Sequence, residues 1–167
     1  MKKSGVLGKV VGYQMRRANL HFIDVASRAL APYEITPLQW AALARIEANP
    51  GCNQSELGAA LAINRSGAAK IVMRLVALGL VDRLPTSDPR AYALQITPVG
   101  RDVLAKASAA IRASERKLLQ VLDEEEQSEL SRLLLKLGQA PGEGDSDRCE
   151  RSTRRHNGQS GKSRKTP

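Results

Sequence analysis

Residues 53–79 read NQSELGAALAINRSGAAKIVMRLVALG, and their punctuation decides the fold. Asn53 and Asn64 each precede helix-forming sequence. Asn is a strong helix N-cap because its side-chain oxygen accepts from the unpaired N–H groups of the first turn. Glu56 stands three residues after Asn53, where its carboxylate can reach back and complete a capping box. This first segment is short, ending at Leu61 or Ala62. The second repeats apolar residues at Ala68, Ile71, Val72, Leu75 and Leu78 with the helical period and stops at Gly79, a natural left-handed terminator. A short helix, a tight turn and a longer helix in sequence make a helix-turn-helix.

The longer helix has two unlike faces. Opposite the apolar residues, Arg65, Ser66, Lys70 and Arg74 share a surface with positions 69 and 73, giving three cations and no anion. Such a helix fits a DNA major groove, where Arg bonds guanine through two donors and small residues such as Gly67 and Ala69 permit close approach or touch a thymine methyl. The N-cap region also leaves backbone N–H groups for a phosphate.

The flanking sequence extends this unit on both sides. Apolar residues from Val6 to Leu30 keep the helical period and predict one long helix ending before Pro32. Thr36-Pro37 pairs an N-cap with proline at the first helical position, opening a second helix that Asn49-Pro50-Gly51 stops. After Gly79 the pattern changes: Leu80, Val81 and Leu84, then turn chemistry at Pro85 to Pro89, then alternation through Tyr92, Leu94 and Ile96 predict a β-hairpin. Its tip carries Asp88 and Arg90. Thr97-Pro98 opens a further helix, and Asp123-Glu-Glu-Glu126 places negative charge at the start of a last one. The fold class expected is mainly α with a small β-hairpin wing: a winged helix-turn-helix flanked by N- and C-terminal dimerisation helices. Residues 1–138 form this domain, with the DNA-binding core at about 36–97. Residues 139–167 are nearly devoid of apolar side chains and are expected to be a disordered basic tail.

Composition narrows the partners. The 167 residues carry 26 Lys and Arg against 17 Asp and Glu, a formal charge of +9. The tail holds seven basic and four acidic residues, so +6 remains on residues 1–138 and the ordered part is basic in its own right. A nucleic acid is the leading anionic partner, ahead of an acidic membrane surface. No run approaches the roughly 20 apolar residues that span a bilayer, and the N-terminus lacks the cleavage site of a signal peptide. Cys52 and Cys149 form no disulfide framework and fit a reducing, cytoplasmic setting. His21 and His156 make no zinc spacing with them, so no metal or cofactor is expected. Gly-x-Ser-x-Gly elbows, phosphate-cradling loops and paired carboxylates are all missing, so no catalytic residue is assigned and the protein is not expected to be an enzyme.

From Ile35 to Leu104 the sequence resembles the multiple antibiotic resistance regulator (MarR) family, through ITPLQWAALARI, the helix-turn-helix, the wing LPTSDPRAYALQ and the exit ITPVGRDVL. The flanking helices match that family by arrangement, extending the likeness over residues 1–138. The resemblance implies base or phosphate contacts to double-stranded DNA from Arg65, Ser66, Gly67, Ala69, Lys70 and Arg74, with Arg90 in the minor groove; at the wing tip Asp88 is placed to orient Arg90 or Arg83 by an ion pair. Gly67 and Ala69 depart from the hydrogen-bonding residues frequent in relatives, which shifts the burden of readout to the cations. It also implies a homodimer on a palindromic operator, with recognition helices about 34–36 Å apart.

The resemblance further implies a small anionic or aromatic effector, such as a carboxylate, a phenolic acid or an acyl-CoA thioester, bound between the dimer helices and the winged domain. Tyr13, Arg16, Arg17 and His21 on the first helix and Trp40 on the second are the residues available there. Each has a plainer role too, Arg16 and Arg17 as solvated cations and Trp40 as core. Repression by operator occupancy is the expected sense, with activation left open. Two alternatives stand beside it. Cys52 precedes a helix N-terminus that would lower its pKa, as a redox sensor requires, although a buried structural cysteine without a resolving partner is the plainer reading; and the basic winged fold could serve as a protein-interaction module.

Overall fold

The computed structural model describes residues 5–86 and 92–138. Residues up to Val121 form one compact unit, and the chain from Leu122 onward forms a second.

Helix starts in the first unit are fixed by side chains. The α1 helix spans Val11–Leu30, α2 Pro37–Ala48, α3 Gln54–Ala60, α4 Arg65–Ala77 and α5 Pro98–Leu119. Asn53 Oδ1 accepts from Ser55 N and Glu56 N, while Glu56 Oε2 accepts from Asn53 N at 2.8 Å, closing the capping box expected from the sequence. Thr36 and Gln39 form a second box at the head of α2. Asn64 Oδ1 accepts from Gly67 N at 2.8 Å and starts α4. At the end of α4 Gly79 takes φ +68°, the left-handed conformation that lets the chain reverse.

Strands β1 (Val81–Pro85) and β2 (Tyr92–Ile96) pair antiparallel, in a register running from Val81 opposite Ile96 to Pro85 opposite Tyr92. The wing is anchored at both ends. Thr97 Oγ1 donates to Gly79 O at 2.7 Å and accepts from Gly100 N, tying the start of α5 to the end of α4. Gly51 N donates to Leu94 O and Leu94 N to Cys52 O, each at 2.9 Å, so the turn before α3 lies along β2. Gly100 permits the tightest approach: a Cβ there would run into the Leu80 carbonyl oxygen.

Leu30, Leu43, Ile46, Leu57, Val72, Leu75 and Leu94 are fully buried and join α1 to α4 with the wing in one core. At about 1.5–3 kcal/mol per buried side chain, this shared core holds the helix-turn-helix and wing in a fixed relation.

The long first helix expected from Val6 is corrected. A 3-10 turn, Gly5–Lys9, precedes α1, and Val10 between them is extended at φ −90°, ψ 112°. No side chain caps α1, and Gly5 takes φ +51°, so nothing locally drives the apolar pattern into continuous helix.

In the second unit α6 spans Glu124–Gly138. Asp123 Oδ1 accepts from Glu126 N and Glu126 Oε2 from Asp123 N, so the acidic run is a helix start. None of its residues is buried.

Candidate nucleic-acid interface

The α4 helix sorts its residues as its sequence requires. Ala68, Val72 and Leu75 are fully buried and Ile71 nearly so, while Arg65, Ser66, Lys70 and Arg74 are exposed. Gly67 and Ala69 are half-buried, set back from that face. Gly67 has a structural reason to lack a side chain, because a Cβ would stand 3.2 Å from the Asn64 oxygen that caps the helix. Ser66 Oγ donates to the same oxygen at 3.0 Å. Met73, 61% exposed, lies at the centre of the cationic face opposite the core and went unassigned in the sequence. None of Arg65, Lys70 and Arg74 is ion-paired among the described residues, whereas Arg28, Arg101 and Arg132 are. Asp88 and Arg90, expected at the wing tip, lie outside the described residues, as does the basic tail of residues 139–167.

The effector residues divide. Arg16, Arg17 and His21 are exposed on α1 and Tyr13 is half-buried there. Trp40 turns into the molecule, packs on the core and donates from Nε1 to Ser108 Oγ at 2.9 Å, bridging α2 to α5. That bond was not legible in the sequence, since Ser108 lies 68 positions away.

Cys52 lacks the lowered pKa that the redox alternative needs. Its thiol is half-buried, and burial, then the nearby Glu56 carboxylate, push its pKa above the ordinary thiol value, outweighing a backbone hydrogen bond that lowers it. The helix start beside it thus does not yield the stabilised thiolate that a redox sensor uses.

Comparison with known proteins agrees with this geometry. The MarR family profile matches residues 33–90. A putative transcriptional regulatory protein for the hcr operon of Thauera aromatica is 32% identical over 136 residues, covering 80% of this chain and 81% of that protein.

The chain belongs to the MarR family of transcriptional regulators.

Among solved MarR-like structures, the repressor CouR bound to a 23-mer DNA duplex superposes with a TM-score of 0.78 at 30% identity, covering 83% of this chain and 99% of that one. CouR bound to p-coumaroyl-CoA gives 0.77 at 28% identity, over 84% and 100% of the two chains. A MarR family protein of Mycobacterium tuberculosis in complex with salicylic acid gives 0.65 at 26%, over 77% and 96%. As a MarR regulator the chain is a DNA-binding protein with a winged helix-turn-helix, mostly helical with one antiparallel hairpin.

Proposed function

We propose that this MarR regulator represses transcription by binding an inverted-repeat operator as a homodimer, and that a small anionic aromatic effector releases it. The observation that carries the proposal is the exposed face of α4, where Arg65, Lys70 and Arg74 stand unpaired by any described anion above a fully packed base. The α4 helix enters the major groove, with Ser66, Gly67 and Ala69 setting how closely it approaches the base edges. Arg90, oriented by Asp88, reaches the neighbouring minor groove.

Dimerisation supplies the two-fold symmetry. The α1 helix buries only Leu30; Val11 at its start and Val6, Leu7 and Val10 before it are exposed, as are Leu133, Leu134, Leu135 and Leu137 on α6. Apolar surface of this extent marks a protein interface. We assign these faces to a second copy of the chain, acting in the cytoplasm; among the described residues no helix is long and apolar enough to cross a membrane.

For the effector, the relatives' ligands share an aromatic ring joined to an acid or a thioester: CouR takes p-coumaroyl-CoA and the mycobacterial protein salicylic acid. Arg16 and Arg17 supply the positive charge for such a ligand on α1, with His21 and Tyr13 as further polar and aromatic groups of that helix and Trp40 as an aromatic side chain of α2. The protein performs this switch without catalysis.

The test starts with selection of duplexes from a random pool. A palindromic sequence should emerge, and an aromatic carboxylate or its thioester should release it in a mobility-shift assay while quenching the fluorescence of Trp40, the only tryptophan. Failure to enrich any palindrome would sink the regulator reading. Release unaffected by Arg16→Ala and Arg17→Ala would remove the assignment of the effector site to α1.

A further inference from the structure

A cleft of about 340 Å³ opens between the start of α3, the start of α4 and the wing. Its walls are Arg65 from α4, Arg83 from β1, Tyr92 from β2, and Asn53, Gln54 and Ser55 at the head of α3, and its floor is the buried Val72 and Leu94. Every polar side chain here can donate a hydrogen bond. Asn53 Oδ1 is already engaged by the cap, which leaves its NH₂. Among the described residues no carboxylate lines the cleft: Glu56 folds back onto Asn53 N, and Asp82, one residue from Arg83 on β1, projects from the opposite side of the hairpin. Neither guanidinium has an ion-pair partner among the described residues. Two cations and several donors over an apolar floor make a site for an anion with several acceptor oxygens.

The position of the cleft selects the anion. With α4 in a major groove and the wing in the adjacent minor groove, the sugar–phosphate strand separating the two grooves must pass between them. The cleft lies in that gap. We propose that it seats one phosphodiester of the bound duplex, held by Arg83 and Arg65. This proposal rests on the DNA-binding reading and deepens it. Arg83 becomes a DNA contact that the motif had not assigned, and Arg65 a backbone contact, leaving Lys70, Arg74 and their neighbours to read bases. Phosphate contacts fix register without carrying sequence information. The cleft therefore sets how α4 and the wing are placed along the duplex.

The test measures binding of the full chain to its selected duplex and to a scrambled duplex across salt, from about 50 to 200 mM. Arg83→Gln should weaken both duplexes by the same factor and lower the slope of log K against log salt by about 1.8, the value of two neutralised phosphates, one for each half-site of the dimer. Arg83→Lys keeps a point charge and should keep the slope. A scan replacing single phosphates with neutral methylphosphonates should find one position per half-site that weakens wild-type binding and that Arg83→Gln no longer senses. An unchanged slope in Arg83→Gln, a loss confined to the selected duplex, or a Lys variant as impaired as the Gln variant would overturn the proposal while leaving DNA binding intact. If wild type bound no duplex, the parent reading would fail with it. Inorganic phosphate, tested without DNA at constant ionic strength, separates a free-anion site. A thermal shift in wild type that Arg83→Gln abolishes, with an unchanged salt slope, would assign the cleft to a free phosphate and overturn the phosphodiester.

Discussion

Two residues show how local chemistry constrains this regulator. Gly100 has no room for a side chain because Leu80 O and Ile96 Cγ1 already occupy the place of a Cβ. Both belong to the rigid anchor of the wing. Gly100→Ala must push α5 away from β1, and overpacking of this kind costs about 1–3 kcal/mol or more. We expect a clear fall in melting temperature and weaker operator binding from the displaced wing, while Gly138→Ala, whose Cβ meets nothing within 4 Å, leaves both unchanged. Cys52 gives the second prediction. Because burial and Glu56 raise its folded pKa, the protonated thiol is favoured by folding. The associated stability is fully present below the unfolded value and is lost as pH rises through the higher folded one. Iodoacetamide near pH 8 should therefore label the Cys52 peptide more slowly in the native protein than in urea, as read by mass spectrometry. Equal rates would refute the raised pKa and restore the redox reading.

At the scale of elements, the Asn64 cap decides whether α4 starts at Arg65. Its side chain holds Gly67 N and Ser66 Oγ together, so Asn64→Ala should destabilise the fold by about 1 kcal/mol and weaken DNA binding beyond that by fraying the end of α4 carrying Arg65 and Ser66. Asn64→Asp should restore the stability, as a thermal melt would report. Caps of this type are why so much was legible in advance. Asn53, Asn64, Thr36 and Thr97 each act on residues two or three positions ahead, and the buried positions of α4 follow from helical period alone. What stayed hidden joins residues far apart. The Trp40 bond to Ser108, the pairing of residues 51–52 with Leu94 and the cleft between Arg65 and Arg83 all depend on tertiary packing, for which one sequence carries no local signal. The break at Val10 was missed for the converse reason, since an apolar period persists there without a cap to start the helix.

For the whole molecule, the unsupported helices argue for a partner. The α6 helix has 15 residues and none is buried. Isolated helices of about 12–15 residues are marginal in water, so its helicity needs apolar contact beyond its own turns. Leu134 and Leu137 lie on one side of it, three residues apart, both about half exposed. If a second copy covers them, folding of α6 is coupled to dimerisation. Leu134→Glu with Leu137→Glu should then yield a monomer in sedimentation equilibrium, and helical circular dichroism should drop by the share that α6 contributes. The monomer retains one α4 and one wing, so it contacts one half-site. Its salt slope on the operator should fall to about half that of wild type, because the number of neutralised phosphates sets the slope. A variant that stays dimeric with α6 intact would show that other surfaces hold the two copies together.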